Sequence, residues 1–161
     1  MKRNIVAIGG GGFGRSIGEL KIEKYIVSLP RKEKVKICFI PTASGDDNLY
    51  KLNFYRAFSK LNCETSHIDF FGRTKNLSEI ILKQDIIFVG GGNTKSMLAV
   101  WKDWNLDKIL KKAYDSGIVM SGVSAGAICW FERGITDSFA DRLEILNCVG
   151  FIKGIACPHF D

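Results

Sequence analysis

Short apolar runs alternate with amphipathic helical patterns along most of this 161-residue chain. We predict strands at residues 4–8, 35–40, 65–70, 85–89 and 118–120, and helices at 17–29, 49–61, 77–82, 94–101 and 106–116. Strict alternation of strands and helices builds a parallel sheet that has helices on both faces. The fourth run is nearly continuous in apolar residues, which indicates a strand buried on both faces. The sequence therefore predicts an α/β fold with a doubly wound, mostly parallel sheet.

The composition is typical of one folded domain without a nucleic-acid partner. Hydrophobic residues make up 46% of the chain and charged residues 25%, and 161 residues are enough for a sizeable core. The net charge is +6, but the basic residues are dispersed along the chain. Their densest stretch, residues 31–36, includes an acid and is typical of a solvated loop rather than a phosphate-binding patch. We therefore predict a single domain, 1–161, that does not bind nucleic acid.

The cysteines and the apolar runs indicate a reduced, cytoplasmic protein. The chain has five cysteines, an odd number, and no pair of them has the C-x-x-C spacing of a metal or redox site. The apolar run after the basic N-terminus is too short for a signal peptide, and no stretch is long enough to cross a bilayer. No His, Cys, Asp and Glu cluster has metal-ligand spacing. We expect no membrane partner, no cofactor and no metal, and the sequence leaves a homodimer open.

Three glycine-rich stretches follow predicted strands, at residues 9–12, 90–92 and 122–126. Ligands of doubly wound sheets bind beyond the carboxyl ends of the strands, so chemistry is expected there. The first stretch also begins a G-x-G-x-x-G pattern at 9–14, the spacing of dinucleotide-binding loops. That fingerprint needs an acid after the second strand, where the sequence IPT stands at 40–42 instead. We therefore expect these glycines to form one wall of a cleft, with nucleotide binding as a weaker alternative.

The segment GVSAG at 122–126 has the G-x-S-x-G pattern, with a predicted strand before it and a helix after it. A tight turn from strand to helix strains the central residue, so the residues two positions away must be small. Ser124 would then expose its hydroxyl above the sheet edge, and the Ala125 amide would point toward developing negative charge. Such a turn can also serve close packing alone, with Ser124 as a helix N-cap. A nucleophilic Ser124 also needs a base nearby.

The chain contains two histidines that could act as that base. His67 lies inside the third predicted strand, and its position is typical of a structural or exposed strand residue. His159 follows the apolar run at 155–158, which places it at the carboxyl end of another strand, on the serine's side of the sheet. The sequence therefore favours His159.

An imidazole base also needs a carboxylate to orient it. Residues 136–138 form a predicted polar turn that places Asp137 well for this purpose, while Glu132, Asp141 and Glu144 are competing carboxylates. The residues alone leave the acid open among these four.

Three segments together resemble the peptidase E family of serine dipeptidases, the aspartyl dipeptidase group related to cyanophycinase. They are VGGGNT at 89–94, GVSAGAICWF at 122–131 and CPHFD at 157–161, and they occur in the family's order. The resemblance implies a flavodoxin-like fold allied to class I glutamine amidotransferases, which have cysteine at the serine position. It also implies a serine peptidase that cleaves short peptides, such as dipeptides with an N-terminal aspartate.

The same resemblance implies a role for each matching residue. Ser124 is the nucleophile and His159 is the general base. The glycine turn resembles the family's oxyanion loop, so the amides of Gly91 and Ala125 are expected to bind the tetrahedral oxyanion. The family acid is expected between serine and histidine in sequence, in a turn like that of Asp137. Glu132 is the alternative acid, because some relatives use glutamate.

The resemblance stops where the chain ends, two residues after His159. Members of the family continue for several tens of residues, which supply late strands and the arginine that recognises an aspartate side chain. We therefore expect a domain without the family's C-terminal part, and no residue is assigned to aspartate recognition. A catalytically inactive truncated paralogue is the alternative function.

Overall fold

The computed structural model describes residues 2–13, 19–73 and 76–159. The strands are β1 (Ile5–Ile8), β2 (Val35–Ile40), β3 (Cys63–His67), β4 (Ile86–Val89), β5 (Val119–Val123), β6 (Phe131–Phe139), β7 (Arg142–Asn147) and β8 (Ile152–Ala156). The helices are α1 (Lys21–Ser28), α2 (Asn48–Phe58), α3 (Leu77–Ile81), α4 (Thr94–Asp103), α5 (Leu106–Asp115) and α6 (Ala125–Ile128). The predicted start of the first helix at residue 17 and the last glycine of the G-x-G-x-x-G pattern lie outside the described residues.

The first five strands form one parallel sheet in the order β1-β5-β4-β2-β3. A hydrophobic cluster on one face takes its α-helical residues from α3, α4, α5 and α6, while a second cluster on the other face takes them from α1 and α2. All four residues of β4 are buried, as the continuous apolar run predicts. The doubly wound, mostly parallel α/β fold that the alternation predicts is therefore confirmed.

Helical periodicity predicts the buried faces with different accuracy in different helices. In α5, Leu106, Leu110 and Ala113 recur at the spacing of one helix face and are all buried. In α2, Leu52, Tyr55 and Phe58 also recur at helical spacing, but only Phe58 of these is buried, together with Phe54 and Ala57, and Leu52 is 50% exposed. Apolar residues surround this helix, so their spacing alone does not identify the face that meets the sheet.

The alternation of strands and helices ends after α6, where three strands form a second sheet in the order β7-β6-β8. Strand β6 pairs antiparallel with β7 and parallel with β8, and it packs against α4 and α6. The predicted polar turn at 136–138 is wrong, because these residues belong to β6, beside an irregularity in its pairing with β7. Glu132 is also in β6.

The second sheet determines where the end of the described chain lies. The apolar run predicted as a strand at 155–158 is the last part of β8, which ends at Ala156. His159 follows this strand closely, as predicted, but β8 belongs to the second sheet rather than to the main one. None of the helices in the described ranges has both the length and the apolar character needed to span a membrane.

Candidate active site

Four loops and the start of α2 surround one cavity at the carboxyl edge of the parallel sheet. The cavity has a volume of about 340 Å³. Its walls come from the glycine turn after β1, the first turn of α2, the glycine turn after β4, the turn after β5 and the segment after β8. The described residues that line it include Gly10, Tyr50, Gly91, Ser124 and His159. The structure thus brings the three predicted glycine-rich stretches to a common site.

Ser124 occupies a sharp turn between β5 and α6. Its backbone has φ 55° and ψ −112°, a conformation that is costly for a residue with a side chain. The Ser124 amide is held by a hydrogen bond of 2.9 Å to the carbonyl oxygen of Ile8 at the end of β1. Its side chain makes no capping hydrogen bond to α6, so the N-cap interpretation does not describe this serine.

The two glycines of the motif allow backbone segments to approach closely. A Cβ atom on Gly122 would lie 2.3 Å from the carbonyl oxygen of Gly126. A Cβ atom on Gly126 would lie 2.2 Å from the carbonyl oxygen of Val89 at the end of β4. Any side chain at either position would therefore collide with backbone, and the strained turn at Ser124 could not form against the sheet.

The His159 imidazole lies beside the Ser124 hydroxyl, with 2.9 Å between His159 Nε2 and Ser124 Oγ. The other ring nitrogen faces the glycine turn after β1, where a Cβ atom on Gly10 would lie 3.1 Å from Nδ1. With the proton on Nδ1, Nε2 is free to accept the serine proton, which is the arrangement a general base requires. The backbone of His159 has φ 54°, so the chain bends sharply as it enters the site.

The other histidine belongs to a different group of side chains. His67 Nδ1 lies 2.6 Å from the Tyr55 hydroxyl, and its Nε2 lies 3.5 Å from Asp69. Lys51 also contacts Asp69, at 3.0 Å. This group joins α2 to the end of β3, and His67 does not line the cavity that contains Ser124.

The structure does not join either predicted acid to His159. Asp137 is exposed, and its side chain has no hydrogen bond to another described residue. Its neighbours Thr136 and Ser138 in β6 contact the start of α4. The Thr94 amide donates to Ser138 Oγ at 2.8 Å, and Thr136 Oγ1 lies 3.3 Å from Thr94 Oγ1. The role of Asp137 therefore stays a prediction.

Glu132 and the other competing carboxylates have different contacts. Glu132 Oε2 accepts a hydrogen bond of 2.8 Å from the Gly154 amide, which ties β6 to β8. Glu144 pairs with Arg142. Within residues 2–13, 19–73 and 76–159, no carboxylate forms a hydrogen bond to His159.

Of the two predicted oxyanion donors, Gly91 lines the cavity, and Ala125 directly follows Ser124, which also lines it. Ala125 begins α6, so its amide has no acceptor inside that helix. Gly91 lies so close to the serine that a Cβ atom on it would be 3.3 Å from Ser124 Cβ. The Gly91 amide donates a hydrogen bond of 3.2 Å to the hydroxyl of Tyr50.

The start of α2 is the part of the site that the sequence analysis missed. Asp47, Leu49, Tyr50 and Asn53 all line the cavity. Burial raises the pKa of the Tyr50 hydroxyl, and this effect exceeds the lowering caused by the Gly91 amide. The sequence could have indicated this part of the site, because α2 follows β2 and so begins at the same sheet edge as the serine. Besides Tyr50 and His159, Asp47 is the only residue with an ionisable side chain among the described lining residues.

No group of three or more His, Cys, Asp and Glu side chains suited to a metal ion occurs in the part of the chain that the structure describes. The described residues that line the cavity supply a hydroxyl, an imidazole, a phenol, a carboxylate, a carboxamide and backbone amides.

Comparison with known proteins identifies similar peptidases. The family model described as Peptidase family S51 matches residues 5–161. The uncharacterized peptidase YgaJ of Bacillus subtilis strain 168 is 46% identical over 160 residues, covering 99% of this chain and 69% of that protein. Peptidase E of Pasteurella multocida is 31% identical over 93 residues, covering 56% of this chain and 38% of that protein.

A solved structure agrees with the fold. A peptidase from an acI-B1 Actinobacterium matches with a TM-score of 0.74 at 17% sequence identity, covering 92% of this chain and 65% of that chain. This chain thus spans 69% of the length of YgaJ, 65% of the Actinobacterium peptidase and 38% of peptidase E.

Proposed function

The chain belongs to peptidase family S51, the peptidase E family, and from that premise we propose that it hydrolyses short peptides through an acyl-enzyme on Ser124. The observation that supports this most directly is the distance of 2.9 Å between Ser124 Oγ and His159 Nε2. A serine hydroxyl is a weak nucleophile at neutral pH, and an adjacent base that removes its proton activates it.

The first half of the reaction forms the acyl-enzyme. His159 Nε2 takes the proton of Ser124 while Oγ bonds to the carbonyl carbon of the substrate, and the carbonyl electrons move to its oxygen. Donors at the glycine turn after β4 and at the Ala125 amide stabilise this oxyanion. The tetrahedral intermediate then collapses, the C–N bond breaks, and His159 gives its proton to the leaving amine.

The second half releases the acid product. A water molecule loses a proton to His159 Nε2 and attacks the acyl carbon, which forms a second tetrahedral intermediate. Its collapse breaks the bond to Oγ, and the proton on His159 returns to Ser124. Asp137 remains the proposed acid that holds the Nδ1 proton of His159, a role that requires it to approach the imidazole more closely than it does here.

The dimensions of the site favour a small substrate. The cavity volume of about 340 Å³ is near the lower limit for small-molecule sites. Such a space suits a dipeptide-sized ligand better than an extended polypeptide. The resemblance to aspartyl dipeptidases adds dipeptides with an N-terminal aspartate as the first substrates to test.

A fluorophosphonate probe tests the proposal without knowledge of the substrate, because it phosphonylates only an activated serine. We expect one adduct per chain, located at Ser124 by mass spectrometry of the digested protein. Ser124→Ala and His159→Gln should abolish labelling. Ser116→Ala is the matched control, since it removes a serine whose hydroxyl only bonds the Ala113 carbonyl at the end of α5. An unlabelled wild-type protein, or an adduct at another serine, would contradict the proposal.

A further inference from the structure

The Tyr50 hydroxyl lies in the part of the cavity where the oxyanion is expected. It accepts the hydrogen bond of 3.2 Å from the Gly91 amide. Gly91 in turn is packed against Ser124, and all three residues line the same cavity. The amide that family resemblance assigns to the oxyanion therefore has an acceptor within the protein.

The Tyr50 ring is held in place on several sides. Its centroid lies 5.1 Å from that of Phe39 and 5.6 Å from that of Phe13. The Tyr50 amide donates a hydrogen bond of 2.7 Å to Asp47, which caps α2. Because both the ring and the backbone are fixed, the hydroxyl cannot leave Gly91 without disrupting the aromatic packing.

The hydroxyl is also available as a donor. Burial raises the pKa of Tyr50 above its ordinary value of 10, so the phenol keeps its proton at neutral pH. Its oxygen uses one lone pair to accept from Gly91, and no acceptor for its own hydrogen occurs among the described residues. A donor without an acceptor at the edge of a reaction cavity is suited to charge that develops there.

We propose that Tyr50 is a catalytic residue that donates its hydroxyl hydrogen to the oxyanion, and that the Gly91 amide acts through the Tyr50 oxygen. This inference rests on the proposed function. No proton is transferred, since the phenol remains neutral throughout. The Gly91 hydrogen bond draws electron density from the phenol oxygen and so strengthens the hydrogen bond that Tyr50 donates, as expected for a cooperative chain. The Ala125 amide supplies the second donor.

The test compares Tyr50→Phe with Tyr55→Phe. Both substitutions remove one hydroxyl from α2, but the Tyr55 hydroxyl bonds His67 outside the cavity. On an aminoacyl p-nitroanilide that the wild-type protein hydrolyses, we expect Tyr50→Phe to lower kcat by about 10²-fold, the typical effect of losing one oxyanion donor. KM should change by less than about threefold, and Tyr55→Phe should leave both constants near wild type.

A second measurement separates this role from a structural one. A peptide aldehyde forms a tetrahedral adduct with the serine, so its inhibition constant should rise about as much as kcat falls in Tyr50→Phe. Binding of the free amino acid product, which has no oxyanion, should stay unchanged. Rates are normalised to the folded fraction measured by circular dichroism, so a loss of folding does not imitate a loss of catalysis.

The outcomes distinguish this inference from the proposed function. If Ser124→Ala is inactive while Tyr50→Phe keeps kcat within threefold of wild type, Gly91 acts without Tyr50 and only the inference is overturned. Equal losses in Tyr50→Phe and Tyr55→Phe also overturn it, because they indicate a general effect on α2. A wild-type protein that neither hydrolyses the p-nitroanilide nor reacts with fluorophosphonate overturns both.

Discussion

Ser124 Oγ lies 2.9 Å from His159 Nε2, although the two residues follow strands of different sheets. Ser124 follows β5, which lies between β1 and β4 in the parallel sheet, while His159 follows β8 in the second sheet. Strand β6 connects the two, because it follows α6 and pairs in parallel with β8, with Gly134 opposite Ala156. The short distance therefore depends on the pairing of the second sheet as well as on the serine turn.

Ser124→Ala is expected to lower the turnover of a short peptide by about 10³-fold or more, because it removes the proposed nucleophile. Stability should change by less than about 1 kcal/mol, since the side chain loses one hydrogen bond at the cavity surface. Steady-state kinetics and thermal unfolding of the same preparation measure both effects. Wild-type turnover in this variant would show that Ser124 is not the nucleophile.

Asp137→Asn is expected to lower turnover by about 10²- to 10⁴-fold with little change in stability, because an amide would favour the wrong imidazole tautomer. The register of the second sheet bears on this expectation. Gly134 of β6 is the partner of Ala156 of β8, and Asp137 and His159 each lie three residues beyond these partners in the same chain direction.

Glu132→Gln is the matched comparison for the acid. It keeps an oxygen that can accept from the Gly154 amide, so the link between β6 and β8 should survive and turnover should change much less. The pH dependence of kcat is measured for both variants. A larger loss in Glu132→Gln than in Asp137→Asn would reverse the assignment, and wild-type turnover in both would place the orienting group elsewhere.

The sequence predicts the parallel sheet well because local patterns identify its parts. Apolar runs that end in glycine identify the carboxyl ends of three of its strands, and the resulting sheet edge brings Ser124 near the other glycine turns. The second sheet was missed because Phe131–Phe139 mixes charged, polar and small residues without regular alternation. Its strands are instead specified by long-range pairing with β7 and β8, which periodicity does not reveal.

The site shows the same division between local and long-range information. The sequence predicts that His159 follows a strand, but its approach to Ser124 also depends on the pairing of β6 with β8 in the second sheet. The contact between Tyr50 and Gly91 was not predicted, because it depends on which face of α2 meets the sheet. The spacing of apolar residues in α2 does not identify that face, and the sequence assigned no role to Tyr50.

Cys157 is expected to be the first cysteine alkylated by iodoacetamide in the native protein, because it is exposed and the other four are buried or half-buried. Burial raises the pKa of Cys38 to about 12 and that of Cys148 to about 11, and it raises the pKa of Cys63 and Cys129 as well. The thiolate is the reactive form, so at pH 8 only about 0.1% of Cys148 would be reactive even with full access.

Intact-mass spectrometry at pH 8 should therefore show a single adduct on the native protein and five adducts after denaturation. Cys157→Ser should remove the native adduct and leave four after denaturation. Raising the pH increases the thiolate fraction of every cysteine, so the half-buried Cys148 and Cys63 should begin to react before the buried Cys38 and Cys129. Native alkylation of Cys38 or Cys129 at the rate of Cys157 would contradict the burial described above.

Gly126→Ala is expected to destabilise the protein by about 3 kcal/mol or more, because the new methyl group would meet backbone rather than a movable side chain. Its Cβ would lie 2.2 Å from the carbonyl oxygen of Val89 and 2.7 Å from the carbonyl carbon. Relief would require α6 to move away from β4, which would also displace Ser124 from His159. For a chain of this length the thermal midpoint should fall by roughly 6–12 °C.

Gly72→Ala is the matched control, since nothing lies within 4 Å of its added Cβ and the free energy of unfolding should change by no more than about 0.5 kcal/mol. Fluorophosphonate labelling of the folded fraction should drop in Gly126→Ala and not in Gly72→Ala. A Gly126→Ala protein with wild-type stability and labelling would show that the serine turn tolerates a side chain at this position, contrary to the packing of β4 against α6.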